Sequence, residues 1–597
     1  MNGPQIVIAA LALSAPIGIH GQVATGPPDS VSVAAYSSDA VRRARAAQAR
    51  FERDRVRHFP VTLESFDGSC DEHVGRFCSW YDEGDWYPEP ESAEIGVLRN
   101  RLLDTLASVQ REVPENGWVL GQRIWYLVEG GRVDEALGIS QDCNGADPWW
   151  CAALQGFVLH NLGRYGESSA GFRRALRLMD VERARLWRSP RRAMDREGRE
   201  FLDDLRNAAP DSIDAILDRL WVLADPLYLV GGNDRETEHY SRWTVATLKE
   251  DSRQPYPIRW GLDMQELTIR HGWEIAWERS PNGSFSALDN VVGHKHPEGR
   301  DFMPPGLALR DPSAATRADL EADRSSPRSL YAPAYAPVVL PMDAQVAVFP
   351  RGEQMVVVAT YFLPEDTTRF ARLGHAAPWR APGDQAGMSD VAGIFLVPVR
   401  GGQTRSVTSS RRDLGALMIQ VPSGEYVVSA EAWSPERRRA GRARFGIARR
   451  AVPEDVAVLS DLVLLSPHTT DLTELEAAVP LLLARPEIRT GEDFAVGWEV
   501  SGLGFRSETL EFQLSVARTG RGVLGRIGDF LHFTRRPIAW ELTWQETGPP
   551  DPGHAFHLLN LSVPDLKPGE YRIELVLRTP GRTPARALRS FRVTDVR

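Results

Sequence analysis

Apolar residues recur at three- and four-residue intervals through much of the first half of the chain and at two-residue intervals beyond about residue 336. Residues 117–143, GWVLGQRIWYLVEGGRVDEALGISQDC, carry the helical spacing with a break at Gly130-Gly131, and residues 149–179 repeat the form with a break at Gly163. Each predicts a helix, a short turn and a second helix. Residues 93–113 and 196–224 bear the same i, i+3, i+4 stripes, which are packing surfaces for neighbouring helices. Strands are predicted by the alternation at 345–363, 393–399, 416–433 and 442–448, and by a second set at 493–502, 509–518, 538–546, 555–563, 569–578 and 586–593. Between the two textures, 281–335 is rich in Pro, Gly, Asp and Arg without a sustained period and reads as a connector, or as a loop lying across the helical half. The fold class is therefore multidomain: an N-terminal all-α part of repeat-like helical hairpins and a C-terminal all-β part.

The two hairpins are related. Gly131-Arg132 through Leu137 recurs loosely as Gly163-Arg164 through Ser169, an offset of 32 residues, with Gly156, Phe172 and Ala175 at small or packing positions. Residues 91–185 thus resemble tetratricopeptide repeats, whose period is about 34 residues. Two repeats cannot bury their own faces, so flanking helices must complete the domain. In the β part, Pro422-Ser-Gly-Glu-Tyr426 and Pro568-Gly-Glu-Tyr571 each turn into an alternating strand. A tyrosine so placed resembles the corner that closes immunoglobulin-like sandwiches, which implies two in tandem, at 336–466 and 480–597.

The apolar block Ile6–Ile19 has signal-peptide length, so residues 1–22 are expected to be a signal peptide cleaved near Gly21 or Ala24, and the protein to be periplasmic or secreted. No later apolar run is long enough for an integral membrane span. Export changes the reading of the four cysteines, Cys70 and Cys78, Cys143 and Cys151, each pair separated by seven residues. Local pairing would close two short loops, each stabilised by about 2.6 kcal/mol from chain entropy alone. Cys143 would end one helical hairpin and Cys151 begin the next. A zinc site built from all four is the rival, but structural zinc takes its cysteines from tighter knuckles. Residues 23–90 read as an extended strap around the first cysteine loop, in which Trp80, Tyr81, Trp86 and Tyr87 flank Asp82, Glu83 and Asp85. Such aromatics lie against the helical domain or stack on a sugar.

Charge removes one class of partner. The chain has a net charge of -10 and only three lysines among its 70 Lys and Arg residues. Its arginines are scattered among carboxylates, leaving no basic stripe for nucleic acid.

Residues 231–279 carry a more specific pattern. Asn233, Glu236, Glu238, His239, Tyr240 and Arg242, followed by Trp260, Asp263, Leu267, Ile269, Arg270 and Gly272, resemble the GWxTD-domain proteins of exported bacterial origin. Arg259 stands where that motif has Gly, Leu262 where it has Thr, and Met264-Gln265-Glu266 where it has Arg-Gly-Arg. The resemblance implies a GWxTD-like helical region over 186–280 in a multidomain exported protein with a β-rich C-terminal part. It implies no established activity, so no catalytic residue is carried over. Glu236, Tyr240, Trp260, Asp263 and Gly272 are expected to serve structure: a capping box from Asn233 and Glu236, inward packing of Tyr240 and Trp260, an anchor at Asp263 and a special backbone conformation at Gly272.

Four histidines are weak metal candidates: His239, His271, and His294 with His296 in the sequence GHKHPE. Packed or solvated roles are the simpler reading, and no metal or cofactor is assigned. The chain holds no G-x-S-x-G elbow, H-E-x-x-H pair, phosphate-binding G-x-x-x-x-G-K-[ST] loop or EF-hand loop. The expected role is an exported binding or scaffolding protein for protein partners. The alternative is a hydrolase or metal-dependent enzyme with a site near residues 231–305.

Overall fold

The computed structural model describes residues 29–61, 71–80, 86–205, 209–280, 290–322, 327–365, 389–410, 414–453, 455–469, 472–504, 508–519, 538–550, 553–563 and 566–595. The expected signal peptide and Cys70 lie outside these residues, as does the side chain of Cys78, so the first cysteine pair does too.

Helices occupy the first half: α1 (Asp29–Arg55), α2 (Ala93–Glu112), α3 (Gly117–Glu129), α4 (Val133–Gln141), α5 (Pro148–Asn161), α6 (Tyr165–Leu178), α7 (Val181–Arg188), α8 (Arg196–Asp204), α9 (Pro210–Ala224), α10 (Asp234–Glu250) and α11 (Leu262–His271). The predicted recurrence is present bond for bond. α3 ends in Gly131 at φ +73° and α5 in Gly163 at φ +71°. At each end, the amide of the glycine donates to the carbonyl three residues back, Val128 and His160, and the following arginine amide donates to the carbonyl five residues back, Leu127 and Leu159. These are matching Schellman closures, which need a left-handed residue that glycine supplies without strain. Each following arginine then pairs with a glutamate three residues on, Arg132 with Glu135 and Arg164 with Glu167. α5 and α6 cross closely because Gly156 and Gly171 face each other: a Cβ on Gly171 would lie 3.2 Å from the Gly156 Cα. Between the hairpins, Cys143 and Cys151 form a disulfide with Cα atoms 5.7 Å apart, locking the turn from α4 into α5.

α10 runs through the centre. Apart from Glu236, Thr247 and Glu250, its residues are buried, although most of them are polar. Burial of such a helix is tolerable only when its polar groups are paired, and most find partners. Glu238 bonds Arg242 and lies 2.9 Å from His160, Arg242 donates to the carbonyls of Ile269 and Arg270, and Asp234 accepts from Tyr331 at 2.7 Å.

The second half is built of strands β5 (Val338–Pro341), β6 (Val346–Arg351), β7 (Gln354–Phe362), β8 (Val391–Pro398), β9 (Arg405–Ser409), β10 (Leu414–Pro422), β11 (Glu425–Ser434) and β12 (Arg439–Ala448) in the first sandwich. The second holds β13 (Val458–Leu459), β14 (Val463–Leu465), β15 (Glu487–Arg489), β16 (Phe494–Leu503), β17 (Thr509–Arg518), β18 (Ile538–Thr547), β19 (Gly553–Leu561), β20 (Gly569–Arg578) and β21 (Ala585–Thr594). Hairpins β1–β2 (Glu72–Val74, Phe77–Ser79) and β3–β4 (Ala276–Ser280, Asn290–His294) belong to the helical half. In the first sandwich a three-stranded sheet, β10-β7-β6, faces a five-stranded one, β5-β12-β11-β8-β9; in the second, β13, β14 and β19 around β16 face β15-β21-β20-β17-β18. Each sandwich holds a short strand parallel to its last one, β5 with β12 and β15 with β21. The two tyrosines are equivalent as well: Tyr426 donates to the Pro422 carbonyl at 3.0 Å and Tyr571 to the Lys567 carbonyl at 2.9 Å.

The described part of the 281–335 stretch is an ordered layer between the halves. Phe302, Leu309, Leu320, Tyr331 and Tyr335 are buried there, and the Leu330 amide donates to the Arg270 carbonyl. The outer face of β11 and β12 docks on the end of α9 through a buried charge cluster. Arg444 pairs with Glu431 at 3.0 Å, both fully buried, and donates to the carbonyls of Leu223 and Asp225.

Candidate functional site

The four histidines occupy separate environments, and among the described residues no group of three or more His, Cys, Asp or Glu could hold a metal ion. His239 is buried on α10 and donates from Nε2 to the Trp187 carbonyl at 2.7 Å. Burial first, and Arg235 beside it, push its pKa down to about 3. His271 is buried near the charges of Arg270, Lys295 and Arg242, so burial and then those cations hold it well below its ordinary value. His294 lies flat against Trp86, ring centres 3.8 Å apart, and 3.4 Å from Glu278. His296 accepts from the Glu298 amide at Nδ1.

The motif residues contact several elements of the helical half. Asn233 caps α10 by accepting from the Glu236 amide at 2.9 Å, while its own amide reaches the Trp221 carbonyl. The Glu236 carboxyl is half-buried near Arg173 and Asp218. Tyr240 is buried against Phe172. Asp263 binds Arg76 of the β1–β2 hairpin through Nε at 2.6 Å and Nη2 at 2.7 Å, which ties the first cysteine region to α11; the Arg76 hydrogen bonds hold its carboxyl below the usual range. Gly272 ends α11 at φ +82° and ψ −174°, a region open essentially to glycine alone. Trp260 differs from expectation: it packs at the rim of the helical core, half-buried. Its neighbours Arg259 and Leu262 are exposed, so the segment runs along the surface.

A cleft of about 1450 Å³ opens where α1, residues 86–92, the ends of α3 and α5, hairpin β3–β4 and the β11–β12 turn come together. Of the segment expected as an extended strap, 29–55 is instead the helix α1, and the strap proper, 86–90, keeps the extended form. Its aromatic wall is Trp277, stacked parallel on Phe59 at 5.9 Å and capped by the Arg55 guanidinium at 5.6 Å, and Trp86, whose indole donates to Glu278 at 2.7 Å. The His294 hydrogen bond is the main reason Glu278 sits below the usual carboxylate range. Deeper charges form closed sets. Glu129 takes Arg55 at 2.8 Å and Arg99 at 3.2 Å, and Arg99 goes on to Glu91. Glu274 takes Lys249 at 2.6 Å and Lys295 at 2.9 Å. Burial pushes the Glu274 carboxyl up, but the two ammonium groups overcome this and hold it well below the usual range.

From the first sandwich, the β11–β12 turn contributes Pro435, Glu436 and Arg438 to the cleft. Arg438 has φ +51°, the one non-glycine residue in the left-handed region among those described, and donates to the Ala334 carbonyl at 2.9 Å. Sequence reading singled out Trp86 but not Trp277, Glu274 or Arg438. One available signal was the scarcity of lysine: two of the three lysines converge on Glu274.

No protein-family model matches the chain, and a search of curated proteins finds no match. Among solved structures, red sea bream transglutaminase shares 10% identity over 42% of this chain and 31% of its own, with a TM-score of 0.15. This chain thus spans under a third of that protein's length. The FN1–FN3 domains of chicken CNTN1 share 12% identity over 43% of this chain and 68% of theirs, also at a TM-score of 0.15.

Proposed function

We propose that the protein is an exported binding or scaffolding protein that engages a protein partner in this cleft and acts in the periplasm or at the cell surface. The cleft carries the reading. It exceeds the roughly 300–1,000 Å³ of a small-ligand pocket, and its deep charges are already neutralised by fixed partners, which makes a preformed surface. The Cys143–Cys151 disulfide supports an oxidising compartment. We read 91–185 as a tetratricopeptide-like domain and 186–280 as a GWxTD-like region; the bond-for-bond recurrence at 32 residues supports the first, and the anchoring by Asp263 supports a structural role for the second.

Peptides selected from a displayed library of extended decamers test the reading. They should bind the full chain and lose binding to the double variant Val133→Trp/Pro90→Trp, which fills the cleft from two sides, at unchanged melting temperature. Equal binding to both proteins would refute a site in the cleft.

A second reading, hydrolysis at the cleft, rests on the Glu278–His294 pair in its wall. Turnover in a substrate screen that Glu278→Gln abolishes at full stability would select it.

A further inference from the structure

We infer that the cleft receives an extended cationic segment, a stretch of partner chain presenting arginine or lysine side chains to it. This rests on the reading of the cleft as a protein-binding site and adds the chemistry of the occupant.

The argument separates floor from rim. On the floor, Glu129 and Glu274 are matched, by Arg55 with Arg99 and by Lys249 with Lys295, and in the wall Glu278 accepts from the Trp86 indole. The rim is unbalanced. Glu89, Glu91, Asp134 and Glu436 all line the cleft and are exposed. Among the described residues only Glu91 of these has an ion-pair partner, Arg99, which it shares with Glu129. The one rim cation facing them from the sandwich, Arg438, is held by the Ala334 carbonyl. These carboxylates come from three separate elements, the strap, the start of α4 and the β11–β12 turn, so they surround the opening instead of forming one solvated run. Low-dielectric walls lined by one sign of charge focus the field outward and raise the local concentration of oppositely charged ligands.

The aromatics favour a cationic chain over a sugar. A sugar platform needs open ring faces; His294 takes one face of Trp86 at 3.8 Å, and both Phe59 and the Arg55 guanidinium lie on Trp277. Pro88, Pro90 and Pro435 line the cleft beside half-buried Trp86, and of the three prolines Pro90 is exposed. Such surfaces suit the methylene stems of Lys and Arg, whose charged heads then reach the rim.

Fluorescence anisotropy on the full chain tests this with three labelled nonapeptides: alternating Arg and Ala, alternating Glu and Ala, and a neutral Gly-Ser peptide. The arginine peptide should bind and the other two should not. Asp134→Asn/Glu436→Gln, which removes two exposed charges, should weaken binding about threefold to tenfold at unchanged melting temperature. Tighter binding of the acidic or neutral peptide, abolished by Val133→Trp/Pro90→Trp, overturns the charge assignment and leaves the cleft as a protein site. Binding of no peptide overturns both readings. Arginine-peptide binding that survives filling of the cleft reflects attraction to an acidic chain at large and overturns this inference.

Discussion

Lys249 donates to the carboxylate of Glu274 across 2.6 Å beneath the cleft, and Lys295 meets the same carboxylate from the other side at 2.9 Å. A compact ammonium suits this place: Lys249 also lies over the Trp125 ring at 5.3 Å, and Lys295 also donates to the Gly272 carbonyl. A planar guanidinium would need a wider fork of acceptors. Glu274→Gln leaves two buried ammonium groups facing each other and should cost about 3–5 kcal/mol. Lys249→Met leaves the carboxylate with Lys295 and should cost less, about 1–2 kcal/mol. Urea unfolding checks the order, and a larger loss from Lys249→Met would contradict the arrangement.

Gly272 should tolerate no side chain. Its φ of +82° with ψ near −174° costs a residue with a Cβ on the order of 1–3 kcal/mol. A Cβ there would also lie 3.4 Å from the Arg242 guanidinium that binds the Ile269 and Arg270 carbonyls. Gly272→Ala should therefore lower the unfolding free energy by that amount, and a neutral result would mean that α11 ends differently in solution.

The paired tyrosine corners give a test of sandwich independence. Tyr426→Phe and Tyr571→Phe each remove one hydroxyl bonded to a carbonyl four residues back, worth about 0.5–1.5 kcal/mol. Hydrogen exchange should quicken around β10–β11 in the first variant and around β20 in the second. A change confined to neither sandwich would show that the corners carry no local stability.

Periodicity made the two halves and their hairpins legible, because Gly131 and Gly163 interrupt helical spacing at matched places, and because the strands face one core on alternate residues. It failed where chain without a period of its own is ordered by neighbours. Tyr331 and Tyr335 look like loop residues in sequence, yet both hydroxyls reach Asp234. The cleft was hidden for a related reason: Glu278, Asp134 and Glu436 lie on elements far apart in the chain, and no spacing within one segment encodes their meeting. Trp260 has the size of a core residue, yet it sits at the rim because the segment that carries it, with Arg259 and Leu262 exposed, runs along the surface.

Glu236 carries a pH dependence whose sign can be worked out. Burial pushes its carboxyl from 4.5 up to about 7, with Arg173 opposing and Asp218 adding to the rise. Between those values the folded state holds a proton that the unfolded chain has released, so stability falls as pH rises from about 4.5 and levels off above about 7. Glu236→Gln removes this ionisation while keeping the backbone amide that Asn233 caps. The variant should match the native protein near pH 4 and exceed it at pH 8 by about 1–2 kcal/mol, a figure reduced because the side chain is half-buried. Buried His239 titrates in both proteins alike, so the difference between their unfolding free energies across pH isolates the carboxyl. A difference independent of pH would place the Glu236 carboxylate in water, and a native protein more stable at pH 8 would place it in a strong ion pair with Arg173.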